Sequence, residues 1–519
     1  MMKKIVKSIE ALVICLGMVC NGPVSSVMAG ETDIPEVSGS EDAVTAEISG
    51  EDEADLAEVI VEEETPVTEA GETEEEVTVS EVSETEGSEA DELSVSDAEE
   101  AEGSGIIEYA EQEDEDELLG AGDTGTYKPY ENASYLLKYE ELDDGTLRIT
   151  GYDGAPRGEL VIPDKIGGKR VTMIGDEAFC GCNGFTGSLT IPDSVTTIGD
   201  RAFYGCEGFK GSLTIGDNVT TIGNGAFEEC WFSGSLTIPD SVTTIGEGAF
   251  EYCTRFNGSL TIGNGVTTIG EEAFYGCRGF SGSLTIPDSV TTIESQAFYN
   301  CRGFSGSLTI GDSVTMIGDS AFWYCEGFTG SLTIGNSVTT IGEHAFLCCS
   351  DFSGSLRIPD SVITIGNNAF GGCSGFSGNL TIPDSVTTIG YQAFAGCTGF
   401  SGNLTIPDSV TTIENLAFSY CSGFSGNLTI GNGVTTIGNG AFSECSGFSG
   451  NLTIGNGVTT IGDRVFDNCN GFRRVENRSA VEFSLPGSDG QTWTDAATGE
   501  SIGSITNGTA IRSDYYDPK

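Results

Sequence analysis

The chain has 519 residues, with 80 Asp and Glu against 22 Lys and Arg and a net charge of −58. Acidity on this scale argues against nucleic acid or anionic lipid as partners, since both need clustered Lys and Arg to neutralise phosphate. The charge is unevenly placed: 31–120 hold 36 Asp and Glu with no Lys or Arg, and 121–519 keep −24 once the +2 of residues 1–29 is counted.

The amino terminus reads as a secretory signal. Lys3, Lys4 and Lys7 precede the ten-residue apolar run ALVICLGMVC, and VMA before Gly30 suits signal peptidase. Cleavage is expected near Ala29. The run is too short to span a bilayer, no second apolar stretch approaches membrane length, and the end RSDYYDPK carries no anchor pattern. A secreted or cell-surface product follows, with no membrane insertion after signal cleavage. Residues 30–122 are highly charged and poor in aromatics, so they cannot bury enough apolar surface to offset ordering entropy. They read as a disordered acidic spacer, or as a region that captures cations or basic surfaces.

Residues 123–158 alternate apolar and polar positions between Gly and Asp turn signals, as β-hairpins do. A repeat then takes over. Phe179, Phe203, Phe227, Phe250, Phe274, Phe298, Phe322, Phe346, Phe370, Phe394, Phe418, Phe442 and Phe466 recur every 24 residues, with a single 23 where CWFSG at 230–234 lacks one glycine. A fixed period of this length marks a solenoid. Within each unit LTI makes a short strand with Leu and Ile on one face, PDS or GNG a turn, VTTIG a second extended piece, and AFxxC one helical turn. One unit has no core of its own. Thirteen stacked at about 4.8 Å would form a rod of about 60 Å with one continuous apolar interior. After 473 the pattern dissolves, and TWTDAATGESI reads as a hairpin in a terminal cap and tail, 474–519.

The unit IPDSVTTIGDRAFYGC resembles the BspA-like, or Treponema pallidum type, branch of leucine-rich repeats, with its pattern I-P-x-x-V-x-x-I-G-x-x-A-F-x-x-C recurring over about 160–472. The return segment GFSGSLTI departs from it, with Phe where the family usually has Leu and one extra residue. The resemblance implies an α/β leucine-rich-repeat solenoid over 159–473 with short parallel strands and short helical turns. It also implies a mostly bacterial surface protein of a kind associated with adhesion to host proteins, matrix proteins or other cells.

The thirteen cysteines that follow each repeat Phe by three residues, Cys182 to Cys469, read as a buried thiol ladder acting as small apolar core, because stacked neighbours sit too far apart for easy bridging. Asp or Asn after each IP or IG, from Asp164 to Asn456, reads as turn chemistry rather than calcium binding. The outward threonines from Thr190, broken at Arg357, suit a strand; ice binding is a distant alternative. His344, the single histidine, is expected to face solvent, and no catalytic constellation, metal set or cofactor motif stands out. Substitutions gather on either side of AF. There Tyr275, Tyr299 and Trp323 occupy one position in consecutive units, with Tyr324 beside Trp323. If exposed, such an aromatic row suits an extracellular protein or glycan ligand; a half-buried position that tolerates many residues is the plainer alternative. The expected role is non-catalytic binding or adhesion, the rival a self-associating envelope or matrix component.

Overall fold

The computed structural model describes residues 123–487 and 492–512. The expected signal segment and acidic spacer therefore lie outside the described residues. Strands β1 (Thr124–Tyr127), β2 (Tyr135–Glu141) and β3 (Leu147–Gly154) form an antiparallel meander. β3 then pairs in parallel with β5 (Lys169–Ile174), which β4 (Lys165–Ile166) joins as a short antiparallel partner. From β5 onward each coil contributes a two-residue strand such as Thr197–Ile198 to one parallel sheet. Equivalent residues are paired from Ile174 to Ile461. A second parallel ladder runs through the LTI segments, with Leu236, Thr237 and Ile238 opposite Leu260, Thr261 and Ile262. This ladder thins to an isolated bridge between Arg357 and Thr381, where the threonine row is interrupted.

The interior is a stack of identical side chains. Phe179 to Phe466 form one column of near-parallel rings, with neighbouring centroids 5.1 Å apart at Phe179–Phe203 and 5.9 Å at Phe442–Phe466. The return-segment phenylalanines, from Phe185 to Phe472, form a second, such as Phe304 on Phe328 at 5.1 Å. The residue that departs from the leucine pattern thus builds its own ladder, and ring stacking adds about 0.5–1.5 kcal/mol per pair beyond area burial. The 23-residue unit keeps this register: the missing residue is taken out of the corner Cys230–Phe232, and Phe232 still lies 5.3 Å from Phe209.

No helix occurs among the described residues, so the expected helical turn at AF is corrected. In every coil the residue two before Phe and the residue two after it are left-handed, as at Glu272 (φ 56°) and Gly276 (φ 69°) or Ser320 (φ 58°) and Tyr324 (φ 61°). Alternate amides point along the rod: Phe274 N–H donates to Ala297 O in the next coil at 2.8 Å. The amides between them close tight turns, such as Cys277 N–H to Phe274 O at 3.2 Å. Amides committed to the neighbouring coil cannot close i→i−4 bonds. The cost is two left-handed residues per coil, on the order of 1–2 kcal/mol each where the residue is not glycine.

The turn carboxylates and amides act between coils rather than on their own backbone. Asp193 Oδ1 accepts Asp217 N–H at 3.0 Å and Asp240 Oδ1 accepts Asn264 N–H at 2.7 Å. A second such row follows Gly of VTTIG, where Asp176 Oδ1 accepts Asp200 N–H at 2.9 Å. The ladder cysteines are buried free thiols, and each from Cys206 to Cys469 donates to the carbonyl of the Phe in the preceding coil, as Cys301 does to Phe274 at 3.1 Å. The thiol fits because it is small, apolar and still able to satisfy that carbonyl.

Aromatic residues close both ends. Tyr152 stacks on Phe179 at 6.1 Å and Tyr135 meets Phe185 edge-on at 4.7 Å, its hydroxyl accepting Val161 N–H at 2.9 Å. At the far end Phe483 tilts over Phe466 at 5.5 Å. There Gly508–Arg512 pairs antiparallel with Arg474–Asn477, and Trp493–Asp495 with Ser501–Ile502.

Candidate binding site

The AF corner is where neighbouring units differ most in chemistry. The Phe side chain and the residues two before and two after it have fixed backbone roles, whereas the position directly after Phe only has to avoid the adjacent coils. It holds Gly371, Ala395 and Ser419 in one stretch and Tyr275, Tyr299, Trp323 and Leu347 in another. Both stretches keep the same backbone bonds, Phe370 to Ala393 and Phe298 to Ala321 each at 2.8 Å. The fold therefore makes no demand for aromatic rings there.

The structure brings Tyr275, Tyr299, Trp323 and Tyr324 together but does not leave them as an exposed row. They are 6%, 9%, 7% and 5% exposed and form, with Leu347, a cluster separate from the main core, with Tyr252 and Cys348 packed on it. The physical reason is mutual cover. Tyr275 stacks on Tyr299 at 4.6 Å, Tyr299 meets Trp323 edge-on at 5.4 Å, and Trp323 stacks with Tyr324 at 5.4 Å. Side chains one coil apart are close enough to bury one another even on an outer corner.

His344 is also corrected: it is half-buried and lies flat on Trp323 at 5.0 Å, with a ring nitrogen 3.5 Å from Asn368 Nδ2. Desolvation holds its pKa below the ordinary value, so it stays neutral at pH 7, while burial pushes the Tyr275 phenol well above its usual range. Buried Asn300 accepts Arg302 Nε–H at 2.7 Å, and the Arg302 guanidinium sits 5.1 Å over the Tyr324 ring. The sequence signal for His344 and Asn300 was available, since both stand at the variable positions flanking AF. The indole Nε1 of Trp323 is buried with no acceptor. A buried N–H left in this state costs about 1–3 kcal/mol.

Two cavities lie elsewhere. One of 830 Å³ opens at the carboxyl end between Asp463, Phe466, Glu482 and Phe483, and one of 520 Å³ follows the LTI face from Asn379 to Arg478. Among the described residues no group of three His, Cys, Asp or Glu is placed to hold a metal ion.

A parallel solenoid whose coils share one core and differ at one corner is a repeat scaffold that displays a surface. The chain belongs to the BspA type leucine rich repeat family, whose pattern matches residues 172–303, 257–377 and 376–482. Similar solved structures include a leucine-rich repeat protein from Bacteroides ovatus at 23% identity, covering 63% of this chain and 98% of that one with a TM-score of 0.43. A leucine rich cell surface protein from Faecalibacterium prausnitzii is 27% identical, covering 65% and 94% with a TM-score of 0.36. The pneumococcal vaccine antigen PcpA is 19% identical, covering 71% and 92% with a TM-score of 0.40. No curated protein matches.

Proposed function

We propose that this is a secreted or surface-held, non-catalytic adhesin that engages an extracellular protein or glycan through the AF corner around Tyr275, Tyr299, Trp323 and Tyr324. The observation that supports it is surplus: coils with Gly371 or Ser419 at the same position close with the same backbone bonds, so the rings answer to something other than folding. The rings cover one another, so they act as a rigid, pre-packed base that holds the corner's exposed side chains in place, which lowers the ordering cost of binding. The cell-surface relative and the pneumococcal antigen agree with an exported protein of this kind.

The test is saturable solid-phase binding of the purified chain to matrix proteins, glycans and cells, repeated with Tyr299→Ala plus Trp323→Ala. Loss of binding of about tenfold or more with an unchanged circular dichroism spectrum supports the site. Unchanged binding by the folded double variant removes it. Assembly of the wild type with itself, with no external ligand bound, favours the structural role instead.

A further inference from the structure

Five Lys and Arg stand in the coils from Arg201 to Arg302, and four of them gather on one ridge. Arg255, Arg278 and Arg302 follow the ladder cysteines of three consecutive coils by two, one and one residues, and Lys210 stands in the coil that precedes Trp231. All three arginines are exposed. The short corner of the 23-residue unit puts Trp231 among them, with the Arg255 guanidinium 4.0 Å over its ring and Lys210 Nζ at 5.9 Å. Arg302 is held in the same way over Tyr324, with Nε on Asn300. Glu207, in the coil of Lys210, and Glu326, in the coil after Arg302, stand at the position directly after the cysteine.

The chain has far more carboxylates than it needs to pair every cation. It uses them at the ends: Lys138 with Asp153 at 2.6 Å, Arg148 with Glu140 at 3.1 Å, Lys169 with Glu141, Arg464 with Asp467 at 3.9 Å and Arg478 with Glu476 at 2.9 Å. Among the described residues none of Lys210, Arg255, Arg278 and Arg302 has a carboxylate partner. Two of the arginines rest on aromatic faces, which orders the guanidinium plane and leaves N–H edges directed outward. An acidic protein that exposes three arginines without carboxylate partners on consecutive coils, two of them ordered on aromatic rings, has a surface for an extended anion.

We infer that the ridge Lys210–Trp231–Arg255–Arg278–Arg302 binds a sulfated polysaccharide laid along the rod. A sulfate takes two guanidinium N–H groups side by side, and a stiff linear chain meets successive coils with little ordering cost. An acidic peptide fits less well. Its flexible backbone would have to be ordered along several coils, a cost that a stiff sugar chain avoids. The inference rests on the protein being a binding scaffold; its one tie to the aromatic cluster is Arg302 over Tyr324.

The experiment measures retention of the purified chain on immobilised heparin at physiological ionic strength, with hyaluronate, polyglutamate and duplex DNA as competing probes. Heparin alone is expected to compete efficiently, and Arg255→Glu/Arg278→Glu/Arg302→Glu is expected to weaken binding by tenfold or more with an unchanged melting midpoint. Arg357→Glu, on the LTI face, should bind as the wild type does. Equal competition by polyglutamate, hyaluronate or DNA overturns the sulfated-sugar assignment, and undiminished heparin binding by the folded triple variant overturns the ridge. Binding to matrix proteins or cells is read separately, so failure of the ridge and failure of the adhesin reading remain distinguishable.

Discussion

The coils around Phe274–Cys325 and those around Phe370–Cys421 have the same two phenylalanine columns, the same thiol column and the same lateral amide bonds. They differ at the corner. The first stretch carries Tyr275, Tyr299, Trp323, Arg278 and Arg302 where the second carries Gly371, Ala395, Ser419, Ser374 and Thr398. Shape comes from what the two stretches share, and any recognition has to come from what they do not. The fold sets a narrow rule for the corner backbone and almost none for the side chain after Phe.

Gly303→Ala and Gly399→Ala should be the most damaging changes, and equally so in both stretches. A Cβ at Gly303 would lie 2.4 Å from both Arg278 O and Phe280 O, and one at Gly399 would lie 2.1 Å from Phe376 O. Neither obstacle is a movable side-chain end, so a loss of about 3 kcal/mol in chemical unfolding is expected for each. Unequal losses would mean that the two stretches do not share one core.

Alkaline pH should weaken the whole rod. Burial pushes the thiols of Cys253, Cys325 and Cys421 up to about 12 from 9.0. The native chain therefore holds protons that the unfolded chain releases, and stability falls as pH rises from about 9 toward about 12. The slope is roughly 1.4 kcal/mol per pH unit for each thiol ionised only when unfolded. Urea unfolding at about pH 8 and about pH 10.5 reads it; equal stability at both would place the thiols in water.

How much of this the letters disclosed depends on the kind of position. The period, the apolar columns and the parallel stacking were legible, because a unit with no core of its own can bury Leu, Ile, Val, Phe and Cys only against a copy of itself. AFxxC misled, since Ala and Phe at that spacing suit a helical turn. The contrary signal was the glycine at Gly225, Gly248 and Gly440 two before Phe, and at Gly181, Gly276 and Gly372 two after it. Those are the left-handed positions. Burial of Tyr275 and Trp323 was open in the letters only as the plainer of two readings, because a non-repeating corner has no periodicity from which side-chain direction can be read.

The backbone rule has a smaller consequence that separates the two kinds of variable residue. Gln392 (φ 51°) occupies a left-handed position without being glycine, and Gly372 (φ 72°) occupies one with no close atom beyond ordinary contact. Gln392→Gly should stabilise and Gly372→Ala destabilise, each by about 1 kcal/mol. Thermal unfolding of the pair measures both, and effects of the same sign would show that conformation does not govern these sites.

The separation of scaffold from recognition is tested most directly by giving one stretch the corner of the other. The variant Tyr275→Gly, Tyr299→Ala, Trp323→Ser is measured for binding to matrix proteins, glycans and cells alongside its circular dichroism spectrum. The expected result is a native spectrum and cooperative unfolding with binding reduced tenfold or more. A native spectrum with full binding would contradict the account, and so would loss of the solenoid itself.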